Sequence, residues 1–279
     1  MQRVKTQGYT LVELVIVIIL LGITSTFIFS YIGFGTRIYS DVAGREQLVS
    51  QSRFAVERLT RELRNALPRS IRVLPGDLQR CIEFVPIITS SSYVQIPKAG
   101  PSAGDDFIGV LPQTNSTLAG EYLFVYATNA NFIYGNTPLR RKTIDSVSNN
   151  VPEDGLITID YSNTPSFFPT DSPASRYYVG GQPVSWCYNA ATNSLERYQG
   201  YGLNVSQLTQ TALQSSFSGT REIMAVNMDN DLNNNQLPFR VFEATLQRSS
   251  LVQIDLRFRR SAENEPLQIL HEVHVPNVP

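Results

Sequence analysis

Few residues in this sequence have the type and spacing that catalysis or metal binding requires. Two cysteines, Cys81 and Cys187, are too few for a disulfide-rich scaffold or a four-thiolate zinc site. The two histidines, His271 and His274, are three residues apart in a predicted strand, so their side chains point to opposite faces. The sequence contains neither the phosphate-binding pattern Gly-x-x-x-x-Gly-Lys nor the nucleophile turn Gly-x-Ser-x-Gly. We therefore expect a protein that has no catalytic site and binds no cofactor.

One short segment has the alternating oxygen side chains of a calcium-binding loop. Asp229, Asp231 and Asn233 occupy alternate positions, as in the first half of an EF-hand. Asn234 replaces the loop glycine, and Arg240 stands where the bidentate acid is required. Because calcium prefers more carboxylates than this segment offers, we interpret it as a polar turn. A calcium site completed by residues elsewhere in the fold is the weaker alternative.

The composition limits the class of protein. Hydrophobic residues make up 42% of the 279 residues, whereas charged residues make up only 17%, below the typical level of about a quarter. Polar, glycine and proline residues fill the difference, which favours strands and turns over a helical bundle. The formal net charge of −1 argues against nucleic-acid binding.

A long apolar run near the N-terminus predicts a membrane-spanning helix. No charged residue occurs from Leu14 to Phe34, and this run would span roughly 30 Å as a helix. Arg3 and Lys5 precede it, which predicts a cytoplasmic N-terminus and places the bulk of the chain across the membrane. A cleaved secretory signal fits less well, because its apolar core is shorter and a small-x-small site follows it.

The segment between the basic residues and the apolar run, Gly8-Tyr9-Thr10-Leu11-Val12-Glu13, resembles the class III signal of type IV prepilins. The resemblance implies that a prepilin peptidase cuts after Gly8 and that Tyr9 becomes the N-methylated first residue. It also implies that Glu13 pairs with the terminal amine of a neighbouring subunit, since two groups that are costly to bury alone become tolerable together. Position alone favours the alternative that Glu13 stays solvated among the lipid headgroups.

The helical pattern continues beyond the apolar run. Residues 37–66 carry apolar side chains at a spacing of seven: Val42, Val49, Val56 and Leu63. No proline occurs between Tyr9 and Leu67, so the sequence predicts one helix of about 58 residues that ends at Pro68. We expect its apolar stripe to pack on a sheet of the same chain.

The remainder predicts a β-rich domain, and the fold class is therefore α+β, with one long helix packed on an antiparallel sheet. The predicted strands are Cys81–Ile88, Glu121–Tyr126, Gly155–Asp160, Tyr177–Val179, Val184–Tyr188, Ser194–Tyr198, Glu222–Met228, Arg240–Leu246, Leu251–Arg257 and Gln268–Val275. Arg248–Ser250 is expected to turn a hairpin. The stretch from Thr89 to Gly120 has few strand signals and is expected to wrap between helix and sheet.

The expected divisions of the chain are a leader (1–8), a membrane half of the helix (9–36), an amphipathic half (37–67) and a periplasmic domain (68–279).

Two further segments narrow the resemblance. Arg80–Ile87 and Ser185–Tyr188 resemble the mannose-sensitive haemagglutinin (MSHA) pilus biogenesis proteins, specifically their large O-type minor pilins. Arg53–Ala66 resembles the equivalent stretch both of larger minor pilins and of the J-type pseudopilins of type II secretion. The first reading implies a non-catalytic minor pilin that joins other major and minor pilins and the inner-membrane assembly platform, and then reaches the cell surface. The second implies a secretion pseudopilin.

The predicted periplasmic location favours a disulfide between Cys81 and Cys187, because that compartment is oxidising. Two buried free thiols are the alternative.

Two other classes of function are less expected. A membrane-anchored periplasmic enzyme would need a convergent polar site, and a carbohydrate-binding adhesin would need exposed aromatic residues such as those of Arg176–Tyr178 or Tyr198–Tyr201.

Overall fold

The computed structural model describes residues 8, 10–74, 80–99, 106–113, 117–136, 139–151, 155–162, 165–215, 219–242, 250–260 and 265–275. The chain divides into two compact units between Val49 and Ser50. The described part of the first unit is helical. The second unit contains the end of the same helix and all of the described strands.

The long helix, α1, spans Leu11–Arg64, which confirms the predicted N-terminal helix. It ends a few residues before the following proline, because a proline disfavours helical backbone in the residue that precedes it. The freed backbone pairs with an extended segment instead. Leu67 N–H donates to the Val85 carbonyl at 2.8 Å, and Ile87 N–H donates to the Asn65 carbonyl at 2.9 Å. The end of the helix is thereby tied to the strands that follow it.

Fifteen strands and two short helices follow α1 among the described residues. The strands are β1 (Arg72–Val73), β2 (Cys81–Phe84), β3 (Ile87–Gln95), β4 (Phe107–Val110), β5 (Tyr122–Val125), β6 (Arg141–Thr143), β7 (Ser146–Val151), β8 (Leu156–Asp160), β9 (Arg176–Gly180), β10 (Val184–Asn189), β11 (Ser194–Gln199), β12 (Thr220–Val226), β13 (Phe239–Phe242), β14 (Ser250–Phe258) and β15 (Leu267–Val275). The helices are α2 (Ala130–Tyr134) and α3 (Gln210–Ser215), and a 3-10 turn covers Leu232–Asn234.

The strands form three antiparallel sheets. The order is β1-β2-β10-β11-β12 in the five-stranded sheet, β6-β5-β9-β3-β4-β8-β7 in the seven-stranded sheet, and β13-β14-β15 in the three-stranded sheet. The predicted α+β class, with a long N-terminal helix followed by antiparallel strands, is therefore confirmed.

The single strand predicted for Cys81–Ile88 is wrong. The chain leaves β2 at Phe84 and enters β3 at Ile87, so these strands belong to two different sheets. Pro86 lies at the crossing point, and its missing N–H prevents a continuous ladder there. The proline thus marks the passage from the five-stranded to the seven-stranded sheet.

The expectation of few strands between Thr89 and Gly120 is also wrong. β3 continues to Gln95 and β4 lies in the same stretch. The serines of β3 face tyrosines across the ladder, with Ser90 opposite Tyr178 and Ser91 opposite Tyr177. Small residues are tolerated in this strand because bulky side chains of β9 fill the space beside them. The partner strand lies far away in the sequence, so the local sequence of β3 does not predict a strand.

The other predicted strands each overlap an observed strand. The predicted hairpin is present as the antiparallel pair β13–β14, in which Phe242 lies opposite Leu251. Residues 243–249, which include the end of the predicted strand Arg240–Leu246 and most of its turn, lie outside the described residues.

The apolar stripe of α1 is buried where the helix belongs to the second unit. Ala55, Leu59 and Leu63 are fully buried and Val56 is 7% exposed, whereas Val42 in the first unit is 61% exposed. The predicted amphipathic pattern therefore describes only the C-terminal turns of the helix.

Candidate functional site

The N-terminus of α1 carries a capping box formed by Thr10 and Glu13. The Thr10 backbone N–H and hydroxyl both donate to the Glu13 carboxylate at 3.4 Å, and the Glu13 N–H donates to the Thr10 hydroxyl at 3.3 Å. This reciprocal arrangement satisfies helix N–H groups that have no partner within the helix. Glu13 therefore has a local role that the sequence reasoning missed, although the Thr-x-x-Glu spacing signals it.

The surface of the first half of the helix is apolar and uncovered by the chain itself. Its large apolar side chains, from Leu11 to Val42, are between 46% exposed at Val15 and 81% exposed at Leu11. Among the described residues, this is the one helix long and apolar enough to cross a membrane, and no part of its most apolar window is buried. An apolar surface of this extent requires lipid or other protein chains around it.

Hydroxyl groups inside this apolar surface are bonded to the helix backbone. Each one donates to a carbonyl three or four residues earlier. The bonds run from Thr24 to Leu20 (2.9 Å), Ser25 to Leu21 (2.6 Å), Thr26 to Ile23 (2.7 Å), Ser30 to Thr26 (3.0 Å) and Thr36 to Gly33 (3.0 Å). Such bonds let polar side chains enter an apolar environment without leaving an unsatisfied donor.

The residues predicted for processing lie next to the capping box. Gly8 is exposed, and a side chain placed there would meet nothing within 4 Å. Tyr9 lies outside the described residues. Glu13 lies in the first turn of α1, on the exposed surface. The structure thus leaves this segment open to other proteins.

Comparison with known protein families identifies this segment. Residues 3–29 match the family model of the prokaryotic N-terminal methylation motif. The comparisons with curated proteins and with solved structures gave no match. The motif and the apolar helix that contains most of it support a precursor of the type IV pilin or pseudopilin class. They also indicate membrane anchoring and processing by a prepilin peptidase.

In the second unit, Cys81 and Cys187 form a disulfide that joins β2 to β10. The two residues are direct partners in the antiparallel ladder, with Cα atoms 4.1 Å apart, and both are fully buried. Tyr198 and Leu213 complete a small apolar cluster around the bond. The disulfide therefore lies in the interior of the unit, beneath α3.

The segment weighed as a calcium loop is internally bonded. Asp231 accepts hydrogen bonds from the backbone N–H groups of Asn233 (3.1 Å) and Asn234 (3.3 Å) and caps the 3-10 turn. Asp229 forms an ion pair with Arg259 at 2.8 Å. Within the described ranges, no three His, Cys, Asp or Glu side chains form a group that could hold a metal ion. The geometry is that of a capped turn.

A charged cluster fastens the end of α1 to the five-stranded sheet. Arg197 of β11 donates from Nε to both carboxylate oxygens of Glu62, at 2.9 and 3.1 Å, and the Trp186 indole donates to Glu62 at 2.9 Å. Arg58 bridges Glu62 at 3.3 Å and Glu222 of β12 at 2.9 Å. Sequence analysis predicted the helix stripe but not this cluster, because its helix members and its sheet members are more than a hundred residues apart in the chain.

A second charged group is buried on the opposite face of β11. Glu196 is fully buried, which alone would raise the pKa of its carboxyl. Hydrogen bonds from Arg221 (2.7 Å), Tyr198, Asn189 (3.0 Å) and Ser194 (2.9 Å) outweigh burial and lower that pKa to about 2. The carboxylate is therefore a structural anchor between β11 and β12.

Proposed function

We propose that this chain is a minor pilin, a non-catalytic subunit of a type IV pilus of the MSHA kind. The observation that carries the proposal is the N-terminal methylation motif at residues 3–29, which runs directly into a helix whose apolar surface the chain leaves exposed. In such a subunit the apolar helix lies in the inner membrane before assembly and packs against other pilin helices afterwards. The described β-rich unit then supplies the specific surface.

The proposed processing follows from the motif. Prepilin peptidase cuts after Gly8 and removes residues 1–8, and Tyr9 is then N-methylated. Glu13 pairs with the terminal amine of a neighbouring subunit. Among the described residues, the Glu13 carboxylate is held only by long, exposed bonds from Thr10, so exchange for a cationic partner costs little. Residues 9–36 span the membrane, 37–67 continue the helix and 68–279 lie in the periplasm.

The size of the second unit supports a minor position. It runs from Ser50 to Pro279, and a domain of that length has a radius of gyration of about 17 Å. An α-helix with its side chains is only about 10 to 12 Å wide. A filament core of closely packed helices leaves little room for such a domain on every subunit. Few copies, or a position near the tip, fit better.

A pseudopilin of a type II secretion machine is the second candidate. The matched motif covers only the N-terminal part of the chain, where pilins and pseudopilins are alike, and Arg53–Ala66 resembles the J-type pseudopilins. Both candidates predict the same processing, so they must be separated by the phenotype of the host.

The processing step is tested by mass spectrometry of the N-terminus after co-expression with a prepilin peptidase. We expect a chain that begins at Tyr9, and an uncut chain for Gly8→Val. A start at Met1 with active peptidase, or a start beyond Thr26, would contradict both candidates.

Assembly is tested by deleting the gene and counting surface pili by electron microscopy. We expect loss of pili that the wild-type gene restores and the Gly8→Val gene does not. Normal piliation with impaired export of secreted enzymes would favour the pseudopilin instead. If both phenotypes were normal, neither role would stand.

A further inference from the structure

The strand β15 is the longest edge strand of the described sheets. It has nine residues and pairs only with β14 among the described strands. The other edge strands, β1, β6, β7, β12 and β13, have between two and seven residues each. An edge strand presents backbone N–H and C=O groups on its open side, and a long open edge is a template for pairing with another chain.

The usual protection of an edge strand is missing from β15. Natural edges carry lysine, proline or a bulge that discourages pairing. β15 contains neither lysine nor proline, and its register with β14 runs without a shift from Leu267 to Val275. The edge strand β12 differs, because Arg221 and Glu222 place charges on it and its register with β11 shifts once. The open edge of β15 is therefore the one best suited to accept a further strand.

The side chains of β15 alternate between a core face and an outer face. On the core face, Val273 and Val275 are buried, whereas Leu267, Ile269 and His271 are only half-buried. The apolar core is therefore open along the first half of the strand. A strand added beside β15 would close it if apolar side chains stood at alternate positions.

A second copy of β15 meets this requirement when it runs antiparallel about His271. Each end of the strand then meets the opposite end of the other copy, and His271 meets its own equivalent. The pairs on the core face are Leu267 with Val275 and Ile269 with Val273, so apolar side chains meet apolar side chains. Antiparallel pairing of a strand with itself is also what the two-fold symmetry of a dimer produces.

The outer face is compatible with the same register. Leu270 lies opposite Glu272 of the second copy, and Gln268 lies opposite His274, so no acid faces another acid. Centring the pair on Glu272 instead would place two carboxylates opposite each other, which is destabilising. The charges of the strand thus favour pairing about His271 over that register.

We propose that two copies of this chain associate through their β15 strands, which pair antiparallel about His271 and join the two three-stranded sheets into one. The proposal rests on the second unit alone and requires neither the pilin nor the pseudopilin role. A single pair of strands is small beside the roughly 1,600 Å² of a standard interface. We therefore expect a weak, reversible dimer, which a high local concentration in a membrane would favour.

The register is tested by cysteine cross-linking of the full-length chain in neutral detergent micelles. Both natural cysteines are held in the buried disulfide, so an introduced cysteine supplies the reactive thiol. His271→Cys should form a disulfide-linked dimer under mild oxidation at about pH 8, where histidine is neutral in the wild type used for comparison. Ile269→Cys, on the same face of the same strand, should not, because its equivalent lies four residues away along the partner strand. Ile223→Cys, on the edge strand β12, should not cross-link either.

The strength of association is tested by sedimentation equilibrium in density-matched detergent. Leu270→Glu should weaken the dimer roughly three- to tenfold, because it opposes Glu272 of the other copy twice across the two-fold axis. Adding Glu272→Lys to that variant should restore association, which also shows that the chain still folds. Ile223→Glu is the matched control, since Ile223 is 59% exposed and lies opposite the buried Glu196, as Leu270 is 58% exposed and lies opposite the buried Asp255. It should leave the association unchanged.

Three results would overturn the proposal. His271→Cys could stay monomeric under oxidation, Ile269→Cys could cross-link equally well, or Leu270→Glu could leave the association intact. The last result is the one expected if copies associate through the long helix alone, and β15 would then have no part in it.

Discussion

Lys142 is the buried cation whose removal is expected to change stability most clearly with pH. The residue is fully buried in β6, and its ammonium donates to the Pro165 carbonyl. The rings of Phe168 and Tyr161 lie 5.3 and 5.9 Å from the ammonium nitrogen. Burial lowers the pKa of Lys142 from 10.5 to about 8, because the charged form loses hydration.

The magnitude follows from linkage. The unfolded chain binds the Lys142 proton below its usual pKa of 10.5, whereas the folded chain binds it only below about 8. Between these values the unfolded state holds the extra proton, so stability falls as the pH falls, and the full cost is present below about pH 8. A shift of this size corresponds to about 3 kcal/mol.

The perturbation is Lys142→Met, which keeps the stem and removes the charge. At about pH 7 we expect the variant to be more stable than wild type by about 1 to 2 kcal/mol, since the lost bond to Pro165 offsets part of the gain. The stability difference should change by about 2 to 3 kcal/mol in favour of wild type between about pH 7 and about pH 10, so that the variant becomes the less stable of the two.

The assay is urea unfolding of the full-length chain in mild detergent, followed by tryptophan fluorescence. Trp186 is the single tryptophan and is fully buried in the second unit, so its emission reports unfolding of that unit. Lys98→Met is the matched control, because Lys98 is exposed. A stability difference between wild type and Lys142→Met that stays constant with pH would refute the reasoning.

Three further predictions concern the bonds inside the second unit. Wild type should lose stability as the pH falls from about 4.5 to about 2, because Glu196 becomes protonated, and Glu196→Gln should show a smaller loss over this range in acid unfolding monitored by circular dichroism. Glu62→Gln should lower the free energy of unfolding by about 1 to 3 kcal/mol, since the buried Arg197 keeps only its longer ion pair, to Glu222 at 3.4 Å; the exposed Glu57→Gln is the control, and an equal effect of both would contradict the cluster's role. The Cys81→Ser/Cys187→Ser double variant should lose about 2 to 5 kcal/mol, measured by urea unfolding against reduced wild type, which should behave alike.

The long helix could be predicted because its signals are local. An uninterrupted apolar run and a proline downstream define it, and the structure confirms it as Leu11–Arg64. Its exact end depends on the pairing of Leu67 with Val85, which the sequence near the proline does not reveal. The capping box of Thr10 and Glu13 is also a local signal, because the Thr-x-x-Glu spacing predicts it.

The sheets were harder to predict because their partners are distant. The alternation in β14 is local and was read correctly, whereas the serines of β3 make sense only opposite the tyrosines of β9. Nothing in the sequence distinguishes Glu62 from the other charged residues of the helix, although Trp186 and Arg197 both bond to it in the structure.

The two units obtain their stability from different sources. In the second unit, buried charges find partners within the chain: Glu83 binds Arg72, Glu196 binds Arg221, and Arg197 binds Glu62. Unpaired, such charges would cost several kcal/mol each, so these three pairs stabilise the unit. The first unit has the opposite character, since the chain leaves its apolar side chains exposed and bonds its hydroxyls to the helix backbone. A helix of that kind is stable only in surroundings as apolar as itself, and both a bilayer and a bundle of like helices meet that condition. Under the proposed function, the same chemical surface would serve both storage in the membrane and packing in a filament.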